Sequence, residues 1–326
     1  MRCLTSTSND PYFNLAMEEY LLKNSNEEIF LLYFNEPCIV VGKHQNILSE
    51  IDIQFAIKNN IKLARRISGG GTVYQDLNNL NFCFIHNCSN YAQINFSKFI
   101  LPITKTLQQM GLNVYLTDRN DILIDAKKIS GNAMHVYKTR VLSHGTLLYK
   151  TDLNKLSCTL KNQYTKYIDK AIKSTPSKVT NISYYYDTFA SITEFNKKFT
   201  KILYGILDTV KISPISEEET ENIKLLCQNK FEKWQWIYGY SPKYQFVNSF
   251  IISGQLVTVI IYVEKGLVKN IITKTNCLEN HEYLKLFEPL INAKHDFQTF
   301  YTILTETKIK SESLIQNLNE FCAHLF

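Results

Sequence analysis

Residues Arg65 to Asn81, reading RRISGGGTVYQDLNNLN, hold the densest set of groups able to handle an anion. Arg65 and Arg66 lead into Ser68 and the run Gly69, Gly70, Gly71, followed by Thr72, Val73 and Tyr74. Consecutive glycines between β-prone segments are unfavourable, because glycine loses the most backbone entropy on ordering. What the loop gains is close approach of bare N–H groups to the anionic part of a ligand. The two arginines would add charge for a phosphate. A purely structural tight turn is the alternative. The run is neither a P-loop, since no Gly-Lys-Ser/Thr follows, nor spaced as a dinucleotide fingerprint.

A second group begins at Arg119 and places Lys128 sixty residues after Ser68. It reads RNDILIDAKKISGNAMH and is followed by Ser143-His144-Gly145-Thr146. Lys128 stands directly before a strand-like Ile129 and the pair Ser130-Gly131. An ammonium beside a sheet is costly unless an anion matches it, and a phosphate or carboxylate would do so. The other reading is a lysine that snorkels from a strand edge.

The elements that must hold these groups alternate without strict βαβ order. Asp10-Pro11 predicts a helix start, and Phe13, Ala16, Met17, Tyr20 and Leu21 form its apolar stripe. Strands are expected at Ile29–Phe34, Cys38–Gly42, Ile61–Ala64, Leu80–His86, Val114–Leu116, Ile122–Ile124, Lys128–Ile129 and Val141–Tyr149. Helices are expected around Ile51–Lys58 and Phe96–Met110. This mixture predicts an α+β fold with mostly antiparallel sheet. Past a break near Trp234–Pro242 that holds both tryptophans and then Gly-Tyr-Ser-Pro, three strand signals at Phe246–Ser253, Leu256–Val263 and Leu267–Thr273 predict a β-meander. A last helix carries Leu314, Ile315, Leu318, Phe321, Cys322 and Leu325. The expected organisation is residues 1–237, a linker over 238–245, and a small α+β domain over 246–326.

Composition narrows the function classes. The 326 residues are 45% hydrophobic and 20% charged, which is ordinary for a globular protein. No apolar run approaches the roughly 18 residues of a membrane span. The N-terminus has neither signal- nor transit-peptide character, so a cytoplasmic protein is expected, with a processed mitochondrial form as the alternative. Eight scattered cysteines without Cys-x-x-Cys, and seven unclustered histidines, point to no disulfide framework and no Cys/His metal site. The net charge of +6 is mild, and no aromatic-interleaved basic motif points to nucleic acid. Lys161, Lys166, Lys170, Lys173 and Lys178 face the single acid Asp169, either as a solvated face or as attraction for an anionic ligand or an acidic partner.

Taken together, RRISGGGTVYQDLNN, RNDILIDAKKISGNA, SHGTLLYKTDL and SKVTNIS resemble the lipoate–protein ligases in order and spacing. So do DPYFNLAMEEYLL, VGKHQN and WQWIYGYSPKYQF, and the resemblance covers almost the whole chain. It implies a biotin/lipoate ligase-like large domain and an accessory C-terminal domain. The implied reaction joins lipoate to a lysine of a lipoyl domain through lipoyl-AMP, with ATP and Mg2+. The implied partners are the lipoyl domains of 2-oxoacid dehydrogenase complexes and the glycine cleavage H protein, and the implied state is a monomer.

By motif match, Arg66 and Ser68 to Tyr74 would hold the adenylate and the acyl chain, with Lys128 at the acyl-phosphate junction. Asn120, Asp121, His144, Gly145 and Thr146 would line the same pocket, and Asp121 is the one candidate base. The Lys161–Lys178 stretch resembles the loop that covers the adenylate. The family usually has His-Asp-x-Gly-Asn where this chain has Gln75-Asp76-Leu77-Asn78-Asn79. Gln75 removes any titration near neutrality, and Asn78 is expected to tolerate positive φ in place of glycine. Two other readings stay open: a lipoyltransferase that uses ready-made lipoyl-AMP or a lipoylated donor protein, and a non-catalytic lipoyl-domain binder. A thioester route would need a nucleophilic cysteine such as Cys83 or Cys88.

Overall fold

A computed structural model describes residues 1–88, 96–186, 188–207, 209–252, 254–275, 287–306 and 318–326. In chain order the elements begin β1 (Arg2–Thr5), α1 (Pro11–Asn24), β2 (Ile29–Tyr33), β3 (Cys38–Val41), α2 (Ile47–Glu50) and α3 (Ile53–Lys58). They continue with β4 (Lys62–Arg65), β5 (Val73–Gln75), β6 (Asn79–Asn87), α4 (Ser97–Gln109), β7 (Tyr115–Leu116), β8 (Ile122–Ile124), β9 (Lys127–Tyr137) and β10 (Arg140–Leu148). Next come α5 (Leu153–Thr159), β11 (Tyr167–Asp169), α6 (Ile192–Ile206), β12 (Lys211–Ile212), α7 (Glu217–Leu226) and α8 (Trp234–Ile237). The last are β13 (Tyr244–Ile252), β14 (Gln255–Glu264), β15 (Leu267–Thr275), α9 (Phe297–Glu306) and α10 (Leu318–Ala323).

Two compact units result. The first comprises residues 1–42, 62–157 and 175–232; the second comprises 43–61, 158–174 and 233–326. In the first, eight strands run in the order β12-β1-β2-β6-β10-β9-β8-β7, and three more in the order β4-β3-β5. Pairing is parallel between β12 and β1, β1 and β2, and β3 and β4, and antiparallel elsewhere in these two sheets. The expected α+β class holds. One face of the large sheet carries Leu80, Phe82 and Phe84, packed with Ile100, Ile103 and Leu107 of α4 and Phe195, Phe199 and Leu203 of α6. The alternate residues of β6 and β10 point to the other face, where the candidate site lies.

Helix α1 forms as its sequence dictates. The Asp10 carboxylate accepts from the Tyr12 and Phe13 amides, and Pro11 opens the first turn. Of the expected stripe Ala16, Met17 and Leu21 are buried and Phe13 and Tyr20 half-buried, and Asn14, Glu18 and Glu19 are buried beside them. Two short helices lie here: α2, and then α3, which is the helix expected around Ile51–Lys58. Asn46 caps the first at the Leu48 amide, and Asp52 caps the second at the Phe55 amide, so the chain restarts at Ile53. The strand expected at Lys128–Ile129 is the start of the eleven-residue β9. Small and polar residues at Gly131, Asn132 and Ala133 interrupt the apolar alternation that would have marked it. Asn78 is not among the described residues with positive φ; Asp76 accepts from its amide and forms the turn instead.

In the second unit, β11-β13-β14-β15 form one sheet, three of whose four strands are the predicted meander. Segment 158–174 belongs here because Tyr167 and Asp169 pair with Phe246 and Tyr244. Trp234 packs over Gly266, where a Cβ would stand 2.5 Å from the indole. Ser253, Leu314 and Ile315 lie outside the described residues. No helix among the described residues is long and apolar enough to cross a membrane.

His295 is the buried keystone of this unit. Its Nδ1 accepts from the Tyr244 hydroxyl at 2.7 Å, and its Nε2–H donates to the Leu325 carbonyl at 3.0 Å. Burial lowers its pKa to about 4, against a backbone bond that acts the other way. The unfolded imidazole titrates near 6.5, so between about pH 6.5 and 4 the unfolded chain takes up a proton that the folded unit refuses. Stability therefore falls as pH falls through that window, by at most about 3 kcal/mol from this group. Both tryptophans, Trp234 and Trp236, lie in this unit. Urea titrations followed by their fluorescence at pH 7 and 4.5 should show the loss, and His295→Gln should remove most of its pH dependence.

Candidate functional site

The glycine loop joins β4 to β5 and is shaped by the arginine beside it. The buried Arg66 guanidinium donates through Nε to Ser68 Oγ at 3.0 Å and Gly69 O at 3.2 Å. Nη1 donates to Val40 O at 2.9 Å, and Nη2 to Gly69 O and Gly71 O, both at 2.7 Å. Its observed work is to fold the loop around itself, turning carbonyls inward. Burial lowers its pKa to about 10, which leaves it charged near neutrality. Gly70 has φ of +88°, and a Cβ there would stand 3.1 Å from Arg66 Nη2 and 3.8 Å from Ala133 Cβ. The loop thus lies over β9. Arg65 is fully buried and donates to Gly42 O at 3.0 Å.

A chain of hydrogen bonds anchors the loop from below. Ser68 Oγ lies 2.7 Å from His144 Nε2, and His144 Nδ1 lies 2.7 Å from Glu18 Oε2. The Tyr33 hydroxyl donates to Glu18 Oε1 at 3.0 Å. All four residues are buried. The imidazole donates through Nδ1–H to the carboxylate, and the serine oxygen receives Arg66 Nε–H. His144 on β10 is thereby a support of the loop. Removing the carboxylate by Glu18→Ala would strand two buried donors, at a cost of about 2–4 kcal/mol. Chemical denaturation should show that loss, with a smaller one for Glu18→Gln.

Lys128 enters the same face by an irregularity. Ile122 pairs with Ser130 but Leu123 pairs with Lys128, so β9 carries one extra residue, a β-bulge. Bulges re-aim side chains; here the lysine is brought over Gly131. A Cβ at Gly131 would lie 3.0 Å from Lys128 Cε and 3.1 Å from Nζ. Nζ pairs with Asp121 Oδ1 at 2.9 Å, with both side chains partly exposed. Lys178–Thr180 clamps the backbone: Lys128 N donates to Lys178 O at 2.8 Å, and Thr180 N donates to Lys128 O at 3.0 Å. The sequence had marked this lysine-rich stretch without revealing the clamp.

Not every expected residue points into this space. Cross-strand partners share a face, and the pairs His144 with Ala133 and Thr146 with Gly131 lie on the side of the loop and Lys128. Thr146 Oγ1 accepts from Asn79 Nδ2 at 3.0 Å. Gly145 points the other way, toward Asn132 and Phe82. Asn120, at φ of +63°, offers its carbonyl to Asn132 Nδ2 at 2.6 Å and sets the turn before Asp121. Thr72 and Tyr74 are buried and Val73 is half-buried at the far end of the loop. Gln75 Oε1 accepts from Asn35 Nδ2 at 2.7 Å, a structural amide network. Cys83 pairs with His144 in register, but burial and then the Glu18 charge push its thiol well above the usual range, which opposes a thiolate nucleophile. Glu18 and Tyr33 escaped the sequence reading. The available signal was Asn14 and Glu18, polar residues four apart beside the apolar stripe of α1.

A partly exposed glycine loop and a lysine on the same face of the sheet suit a ligand with both a phosphate and a carboxylate. Among the described residues no three His, Cys, Asp or Glu side chains form a metal cage. The family model for the lipoyl protein ligase A/B catalytic domain matches residues 10–203. Lipoate–protein ligase 1 of Staphylococcus aureus is 39% identical over 299 residues, 91% of each chain. The mitochondrial lipoyl amidotransferase of Homo sapiens is 34% identical over 277 residues, 82% of this chain and 74% of the other. A crystal structure of lipoate–protein ligase A bound with ATP is 26% identical with a TM-score of 0.63, covering 73% of this chain and 98% of the other. A bipartite lipoate protein ligase from Thermoplasma acidophilum, studied with its E2 lipoyl domain, is 25% identical with a TM-score of 0.62 over 73% and 96%. The glycine loop, Lys128 and the β10 residues all fall within the matched segment, and the chain belongs to the lipoyl protein ligase A/B family.

Proposed function

We propose that this protein is an ATP-dependent lipoate–protein ligase, which converts lipoate to lipoyl-AMP and transfers the acyl group to a lysine of a lipoyl domain. The observation that carries the reading is the placement of the Lys128 ammonium over Gly131, on the face where Gly70 lies against Ala133. Adenylation forces a carboxylate onto an α-phosphate, two groups of like charge. Lys128 would exchange Asp121 for these anions, screening their repulsion and stabilising the charge that develops between them. The loop N–H groups would add fixed donors. In the second step the target amine attacks the acyl carbonyl, the bond to phosphate breaks, and AMP leaves. Lys128 would then stabilise the oxyanion, with Asp121 the candidate acceptor of the amine proton.

Mg2+ would enter with ATP. Its habit of binding one or two carboxylates plus substrate phosphates fits a site where the Asp121 carboxylate stands beside Lys128 Nζ. The first compact unit holds the glycine loop, Asp121, Lys128 and the β10 residues and would be the catalytic part; residues 246–326 would be the accessory part that supports adenylation. The partners would be lipoyl domains of 2-oxoacid dehydrogenases and the glycine cleavage H protein. A second reading, transfer from ready-made lipoyl-AMP without activation of free lipoate, draws on the likeness to the human amidotransferase. Lipoate-dependent exchange of pyrophosphate into ATP separates the two. Exchange supports the ligase, and its absence, with transfer from lipoyl-AMP intact, supports the transferase.

A further inference from the structure

Asn81 is fully buried on β6, and neither its amide nitrogen nor its amide oxygen has a hydrogen-bond partner among the described residues. Its neighbour on the same face is a useful contrast. Asn79 donates to Thr146 Oγ1 and accepts from the Thr151 hydroxyl, so that amide is satisfied. An orphaned buried amide lowers stability, and an apolar residue of the same shape would be neutral or better there. Such a group calls for a ligand atom.

Register locates it. Asn81 lies directly opposite Tyr33 on β2 and Thr146 on β10, and Thr146 lies opposite Gly131 on β9. Cross-strand partners share a face, so Lys128 over Gly131, then Thr146, then Asn81, form one row across the strands. Gly131 and Asn81 are two strand spacings apart, about 10 Å, comparable with the reach of an extended eight-carbon acyl chain. Tyr33 cannot satisfy Asn81 with its hydroxyl hydrogen, which is given to Glu18.

We propose that Asn81 reads the sulfur end of the acyl group, so that the site prefers a dithiolane-bearing acid to the straight-chain acid of equal length. This rests on the reading of the site as one that activates lipoate at Lys128. With the carboxylate at Lys128, the ring sulfurs reach the Asn81 end of the row. Sulfur is a weak acceptor for the Nδ2–H group, whereas the methyl end of octanoate offers nothing and leaves the amide unpaired. Sites built to hydrogen-bond a substrate group reject analogues that lack it.

The test compares kcat/KM for pyrophosphate release with lipoate and with octanoate, in the wild-type full chain and in Asn81→Leu. The expected result is a wild-type preference for lipoate that falls about tenfold in the variant, mainly through KM for lipoate, with an equal or higher Tm. A preference that survives Asn81→Leu overturns the proposal alone. So does a wild-type protein that uses both acids equally well, a result that needs no folded variant. Wild-type protein that activates neither acid overturns the ligase reading and this proposal with it.

Discussion

Replacing Lys128 with alanine is expected to lower the rate of lipoate adenylation by about a hundred- to a thousandfold, the range for removing one group aimed at developing charge. The protein should keep its fold. Lys128 and Asp121 are both partly exposed, and such a pair contributes less than about 1 kcal/mol. The clamp by Lys178 and Thr180 uses backbone atoms that alanine retains. Lipoate-dependent pyrophosphate exchange should collapse while the melting curve stays within a few degrees of wild type. Unchanged exchange would remove the lysine from the chemistry.

Gly145→Ala should give the largest loss of stability among single-methyl additions near the site. The new Cβ would stand 2.0 Å from Asn132 Oδ1 and 2.6 Å from Phe82 Cζ, far inside contact distance. Phe82 is sealed in the core beneath the sheet, so the strain falls on both sides of β10. Overpacking of this kind costs about 1–3 kcal/mol. Asn132 can swing away only by giving up its bond to the Asn120 carbonyl, which sets the turn carrying Asp121. Adenylation should therefore weaken together with stability, whereas Gly69→Ala, where a Cβ meets nothing within 4 Å, should change stability little. Urea denaturation and exchange rates on the two variants check both halves.

Much of the fold was legible because local chemistry and pattern agreed. Asp10-Pro11 wrote the start of α1, and Ser253 to Gln255 and Glu264 to Gly266 separated the three meander strands. The glycine loop was visible because three glycines in a row have few other uses. The bulge in β9 was not visible, because Lys128 reaches the site face only through an extra residue that breaks the alternation used to assign faces. Glu18 was hidden for a related reason: an acid in a helix reads as a solvated residue until Tyr33 and His144 arrive from other strands. Asn78 failed as a positive-φ residue because the Asp76 carboxylate supplies the turn by hydrogen bonding. The composition of the second unit was closed to sequence reading. Residues 158–174 join it through pairing with β13, a contact nearly eighty residues away.

The most direct test of the central claim is the mass of an apo-lipoyl domain after incubation with this protein, Mg-ATP and lipoate, beside a parallel reaction given lipoyl-AMP. The ligase reading predicts the lipoyl mass increment in both, and its loss from both when the acceptor lysine of the domain is replaced by arginine. An increment with lipoyl-AMP alone would contradict the activation step and leave a transferase. No increment in either reaction, across several lipoyl domains, would contradict the enzymatic reading itself.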